Sequence, residues 1–439
     1  MFSMKNFAKG KPWTNWSESF VSYPAYYAPT SAEQISDIIK GHQKKGMTIR
    51  TTGAAHSFSP VALPEHSALS LHHLRGLQSV DLEKMEATFY AGTYLYEIGP
   101  LLEAYGLAVI NMGDIDVQSL AGVISTGTHG TGVTLGSFSS MAVKWTFIDG
   151  KGEMITHERG NDDLSDALHL SLGLLGVLVA VTILVLPLYS LAYTAAREDF
   201  TTSLLNFRQE IRSNRHVEWY YFPGSDRIQV KRMNMAPVTY ASDKERKKEQ
   251  RKLELIENRL FEGVSKLCRW KPDWSGAVSM LSSRMITEGK KTDICYKVYP
   301  TSRRVKFTET EYAIPLEHFE ACMEEIHEVM KKRTFPVHFP IECRTTMGER
   351  GFLSPTMGRE SAFLAFHMYK GMDDTAYFRW VFELMKKYDG RAHWGKINCY
   401  DETDITMFYP DAEKFNEIRQ LFDPGNIFMT HYFKHIFHS

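Results

Sequence analysis

The sequence predicts an α+β protein of two domains, and three observations carry that expectation. The chain has 439 residues, where single domains usually run to about 100–200. Its first part alternates helical, strand-like and small-residue segments, a pattern clear at residues 31–57 and 94–136. Residues 195–410 carry strand-like runs at 217–222, 296–299 and 362–369 and helical patterns at 316–332 and 376–388. The expected units are residues 1–190, completed by 412–439, and residues 191–411 between them.

Taken in order, Ser31 can cap a helix and Gln34 complete a capping box, with Ile35, Ile38 and Ile39 as the apolar face. Gly46, a strand at 47–51 and the small-residue loop Gly53-Ala54-Ala55-His56-Ser57-Phe58 follow. Residues 170–189 carry no charge and match a membrane span in length. Gly173, Gly176 and Pro187 interrupt the run, residues 177–185 are rich in β-branched side chains, and no basic cluster flanks it closely. A fully buried strand is therefore expected, and no membrane span. The charge-dense stretch 242–259 reads as a solvated helix, and the tail holds a helix ended by Asp423-Pro424-Gly425.

Composition narrows the function classes. Hydrophobic residues make up 43% and charged residues 23%, which suits a packed core. A net charge of −1 argues against nucleic acid as a partner. Five scattered cysteines without a CxxC pair fit a reduced, cytoplasmic protein. The start, residues 1–6, shows no apolar stretch of a signal peptide. Among 17 histidines there is no HxH or HExxH spacing, so no metal is expected.

Four segments can carry chemistry. Residues 118–132 (QSLAGVISTGTHGTG) are small, hydroxyl-rich and glycine-rich; their N–H groups can face anionic oxygens such as a pyrophosphate, or simply form a turn. His56 sits among small neighbours that leave its ring accessible, although such a loop histidine is more often structural. Glu342 and Arg344 lie two apart, hence on one face of a strand, where they can bind hydroxyls and negative charge or pair across strands. Lys396, in His393-Trp394-Gly395-Lys396, is a surface turn lysine or, with its pKa lowered by burial and Arg344, a proton acceptor.

Together, the Pro-Thr-Ser-Ala-Glu helix start, the GxxHS loop, the Ser-Leu-Ala-Gly…Gly-Thr-His-Gly-Thr-Gly segment, Glu-x-Arg and HWGK resemble the vanillyl-alcohol-oxidase-type flavoproteins. The likeness covers about residues 20–435 and is closest to the sugar-1,4-lactone (gulonolactone, arabinonolactone) and alditol oxidases. It implies a VAO/PCMH-type fold, with a PCMH-type FAD-binding domain and a substrate (cap) domain. It implies FAD joined covalently to His56 and contacted by Gly53, Ala54, Ala55, Ser57 and Phe58. Ser119, Gly122, Ile124, Gly127, Thr128, His129, Gly130, Thr131 and Gly132 would form the second flavin segment. Gly173 to Val177, with Val181, would form the third. The substrate pocket would use Lys396, Arg344, Glu342, Ser119, His393 and, more loosely, His367. The implied reaction is oxidation of a hydroxyl of a polyhydroxylated substrate by hydride transfer to flavin N5, with O2 reduced to H2O2. An alditol as substrate, a dehydrogenase using another acceptor, and a non-catalytic flavin-binding protein are the alternatives. Nothing in the sequence bears on oligomeric state.

Overall fold

The computed structural model describes residues 12–284, 288–301 and 304–437; residues 1–6, where a signal peptide would begin, lie outside them. The helix Ala32–Lys45 starts where expected, with Ser31 Oγ accepting the Gln34 N–H at 3.3 Å. The reciprocal arm differs, because the Gln34 side chain accepts from Thr30 N at 2.9 Å rather than from Ser31. This helix buries Ile35 and Ile39 beside a parallel sheet ordered Ala25–Tyr27, Ser67–Leu69, Ile49–Thr51.

A second, antiparallel sheet has Val177–Pro187 at its centre, between Ala142–Ile148 and Glu86–Tyr90. Residues 177–183 of that strand are all buried, which is why the stretch reads as continuously apolar rather than alternating. No helix among the described residues is long and apolar enough to cross a membrane.

From residue 190 the chain builds an eight-stranded antiparallel sheet. Its order is Gly289–Ile294, Ser190–Asp199, Arg227–Ala236, His216–Tyr221, Ile341–Thr346, Ser361–Tyr369, Phe307–Pro315, Arg391–Ala392. Trp219 packs against Phe207 of the helix Phe200–Ser213 and Phe319 of the helix Phe319–Lys331, at 5.0 and 5.5 Å between ring centres. The strand expected at 296–299 is instead a single helical turn, Cys295–Val298. Its predecessor Gly289–Ile294 pairs with Ser190–Asp199 and runs out of partner at Ser190, so the aromatic run has no ladder to join.

The tail returns to the first unit. After the helix Ala412–Phe422, the Asp423 carboxylate accepts the N–H groups of Ile427 and Phe428, both at 2.9 Å. Ile49 N then donates to Ile427 O at 2.8 Å, and Gly150 N to Phe422 O at 2.8 Å. Buried Arg50 ties the tail to the loop at Gly173, donating to Gly173 O at 3.2 Å and Val61 O at 2.7 Å beneath the Phe433 ring.

Candidate active site: a cavity and a charged sheet face

A cavity opens where three segments converge: residues 50–57, residues 118–126 and residues 172–178. Gly53, Ala54, Ala55, His56, Ser57, Ser119 and Gly122 line it, as do Gly173 and Gly176. The segments approach so closely that a Cβ on Gly53 would collide with Ser119 Oγ, and one on Gly92 with the carbonyl oxygens of Leu71 and Leu74. Ser119 caps the helix Leu120–Thr126, its Oγ accepting from Gly122 N at 3.3 Å. Ala55 adopts φ +54°, a left-handed conformation that glycine would hold without strain.

Other residues expected at the flavin do not line this cavity. Ile124, Val177 and Val181 are buried in the core. Gly127 ends the helix in the left-handed conformation, packed on Leu170, and Thr128 N donates to Val123 O at 3.0 Å. Residues 129–132 leave the cavity and splice into the large sheet. Gly132 N donates to Thr345 O at 2.7 Å, Thr131 Oγ1 to Val217 O at 2.6 Å, and Gly130 is pressed against Asn111. His129 stacks on Phe363 at 3.7 Å and faces Glu311 at 3.4 Å. The glycine-rich run thus divides into a cavity wall and an interdomain joint.

The second half of the site is one face of the eight-stranded sheet. Strand register lines up Gln229, Tyr220, Glu342, Ala365 and Glu311 across five strands, with Lys231, Glu218, Arg344 and Phe363 in neighbouring positions. Arg344 binds Glu218 Oε1 at 2.7 Å, approaches Asp114 at 3.3 Å and contacts Glu342. Tyr220 donates to Glu342 at 3.1 Å. Burial pushes the Glu218 carboxyl above its usual range against the pull of Arg344, while burial of Arg344 is outweighed by Glu342 and Glu218, which keep it cationic.

At the far end of this face Lys396 Nζ lies 2.6 Å from Glu309 and 3.7 Å from Glu311. Burial alone would lower its pKa, but these carboxylates outweigh both burial and Arg344, so the pKa is raised rather than lowered as expected. His367 stands 3.4 Å from Glu309 and gives its other nitrogen to Pro340 O at 3.1 Å. Burial holds His393 neutral, with its pKa lowered to about 3. Sequence reasoning missed Asp114, Glu218, Glu309 and Glu311. The alternation Thr308-Glu309-Thr310-Glu311 in a strand-forming run was the one available signal.

His129, Glu311 and His393 bring possible ligand atoms within 4.8 Å of one another. Gly395 N–H donates to His393 Nδ1 at 3.0 Å, leaving the ring proton on Nε2, and the Lys396 ammonium already faces Glu311. This donor set suits a hydrogen-bonded network better than a metal. The two halves of the site meet where Phe58 N donates to Gly395 O at 2.7 Å and Ser59 Oγ to Trp394 O at 2.5 Å. The histidine loop and the HWGK turn are therefore joined, and the Phe58 ring lies 5.2 Å from Lys396 Nζ.

Fold and site together define a two-domain flavoprotein, and residues 23–158 match the family model described as FAD binding domain. Residues 181–436 match the model described as D-arabinono-1,4-lactone oxidase, and the chain belongs to that family. It is 32% identical over 429 residues to an L-gulono-1,4-lactone dehydrogenase of Mycobacterium tuberculosis, covering 97% of this chain and 98% of the relative. It is 26% identical to an L-gulonolactone oxidase of Bos taurus, covering 98% and 99%. Its fold matches a cholesterol oxidase from B. sterolicum with TM-score 0.77 at 15% identity, over 97% of this chain and 96% of that one.

Proposed function

We propose that this chain oxidises a hydroxyl group of a sugar 1,4-lactone, using FAD attached through His56. Residues 1–190 with 412–439 would hold the cofactor, and residues 191–411 the substrate. The observation that carries the reading is the Phe58 N to Gly395 O bond, which sets the anchoring loop directly against the turn that presents Lys396.

The cavity fits a flavin nucleotide in the chemistry of its walls. Small residues and hydroxyls let backbone approach a planar or phosphate-bearing ligand, and buried Arg50 adds positive charge. FAD bound there supplies the two-electron acceptor. Burial, with Lys396 adding to it, lowers the His56 pKa to about 4, so its ring is neutral at physiological pH and keeps the lone pair that attachment requires. Ser119 stands at the cavity wall, in place to hold either the cofactor or a substrate hydroxyl. Arg344 and Glu342 bind and orient a polyhydroxylated ring, and Lys396 faces the hydroxyl that is oxidised. Electrons then pass to O2, giving H2O2, or to another acceptor. Four buried free cysteines suit a reducing, cytoplasmic setting.

The test is direct. Purified protein should be yellow, keep flavin in an acid-precipitated pellet, and lose that acid-stable flavin in His56→Ala. Addition of arabinono- or gulono-1,4-lactone should bleach the flavin, and peroxide release should separate oxygen from other acceptors. A protein that takes up no FAD, or whose flavin only open-chain alditols reduce, would sink this reading.

A further inference from the structure

We propose that Glu309 and Glu311 are positioning residues that hold Lys396 as an ammonium ion, so that Lys396 serves the reaction as a fixed cation and hydrogen-bond donor rather than as the base. The inference rests on the reading of Lys396 as the group facing the substrate hydroxyl. Its ground is the way the backbone builds the cluster.

On the strand Phe307–Pro315, Glu309 and Glu311 are two apart and so share a face. The turn carrying Lys396 is laid along that strand by its main chain. His393 N donates to Glu311 O at 2.9 Å, Ile397 N to Glu309 O at 3.0 Å, and Lys396 N closes the turn on His393 O at 2.9 Å. The residues that supply the carboxylates therefore also set the register of the lysine. The result is an Nζ at 2.6 Å from one carboxylate and 3.7 Å from the other, with side chains only 7% and 5% exposed for Glu309 and Glu311.

The charged and titratable neighbours among the described residues pull in both directions, and the two carboxylates prevail. His367 faces Glu309 and His129 faces Glu311, each at 3.4 Å. His393 approaches from the turn itself, His56 from the anchoring loop, and Arg344 from the strand Ile341–Thr346, two places along the sheet. Arg344 is neutralised by Glu342, Glu218 and Asp114, so it repels Lys396 weakly. The Phe58 ring 5.2 Å away adds a further surface that favours a cation. Removing the lysine proton would leave Glu309 and Glu311 as buried anions short of their counter-ion, which proteins avoid. A base must give that proton up at working pH; a clamped donor keeps it. Held as an ammonium, Lys396 stabilises negative charge as it develops on the substrate oxygen, whose proton passes to solvent water while the carbon gives its hydride to the bound FAD.

The experiment compares holoenzymes of the wild type, Glu309→Gln, Glu309→Asp and Lys396→Arg. It measures the pH profile of lactone-driven flavin reduction and an NMR titration of 13C-methylated lysines, with the Lys396 resonance identified by its absence in Lys396→Arg. The expected wild-type rate holds through neutral pH and falls only at alkaline pH, together with the titration of Lys396. In Glu309→Gln both should move down by about 1–3 pH units, and Glu309→Asp should restore most of the shift. Lys396→Arg, which cannot act as a base, should keep turnover well above that of Lys396→Met. A wild-type rate that climbs as Lys396 loses its proton would overturn the proposal. So would a Lys396 titration unmoved in Glu309→Gln, or a Lys396→Arg variant as inactive as Lys396→Met. If no lactone reduces the flavin, the substrate reading fails, while the NMR titration still decides the charge on Lys396.

Discussion

The two halves of the site are built on opposite principles. The cavity around His56 is walled by glycines, alanines, hydroxyls and main chain, with Arg50 turned onto carbonyl oxygens. The sheet face carries Glu218, Glu342, Arg344, Glu309, Glu311 and Lys396 in ion pairs whose four carboxylates are buried. The first arrangement recognises shape and lets backbone approach a large ligand. The second sets charge, and its geometry comes from strand register rather than from loop conformation. A change in the cavity should therefore show first as lost cofactor, and a change on the sheet as lost turnover with the cofactor retained.

Lys396→Met is the strongest way to break that distinction. It should slow lactone-driven flavin reduction by about 10²–10³-fold while leaving flavin content unchanged, read by stopped-flow absorbance. Loss of flavin in this variant would show that the two halves are not separable.

Glu349 tests the joint between them. Its carboxylate accepts from Ser137 N at 2.6 Å and Ser137 Oγ at 2.7 Å in the first unit, and from Ser354 and Thr356 at 3.1 and 3.2 Å in the second. Burial would raise its pKa, but His169 and the Ser137 donors hold it at about 2 against an ordinary 4.5. A folded-state pKa below the unfolded one gives stability that is complete above pH 4.5 and lost as pH falls toward 2. Glu349→Gln should thus cost about 3 kcal/mol at neutral pH, and the gap to wild type should narrow on acidification, followed by urea unfolding. A gap independent of pH would mean that the carboxylate's charge does not stabilise the joint.

Gly92→Ala probes the cavity alone. The added Cβ meets two carbonyl oxygens that cannot move aside cheaply. The expected cost is about 1–3 kcal/mol with reduced FAD content, while the pairing on the sheet face, read from the pH profile of the remaining holoenzyme, stays as in the wild type. The smallest effect belongs to Ala55→Gly. Relief of its left-handed backbone should stabilise the fold by up to about 1 kcal/mol, visible as a modest rise in Tm. A fall in Tm would show that chain entropy outweighs the strain there.

Much of this was legible in the chain. The uncharged stretch 170–189 announced a strand buried on both faces, because β-branched residues without alternation suit only that environment. Ser31 and Gly46 marked the ends of the first helix through capping chemistry that is local. Residues 296–299 misled for the opposite reason: their side chains favour a strand, but whether a strand forms depends on a partner, and the partner ends at Ser190. The expectation for Lys396 failed in the same way. Arg344 was visible as a neighbour, whereas Glu309 and Glu311 lie about 85 residues upstream and reach the lysine only through sheet pairing.

By itself the sequence determined the α+β class, the small-residue segments fit to surround a flavin, and His56, Glu342, Arg344 and Lys396 as residues worth watching. These depend on local propensity, on two-residue and helical periodicity, and on short motifs. Only the tertiary structure decided that residues 129–132 act as a joint, that five strands align one charged face, and that Lys396 meets two carboxylates. Ionic state and register are properties of partners distant in the chain, and the folded arrangement alone brings those partners within reach.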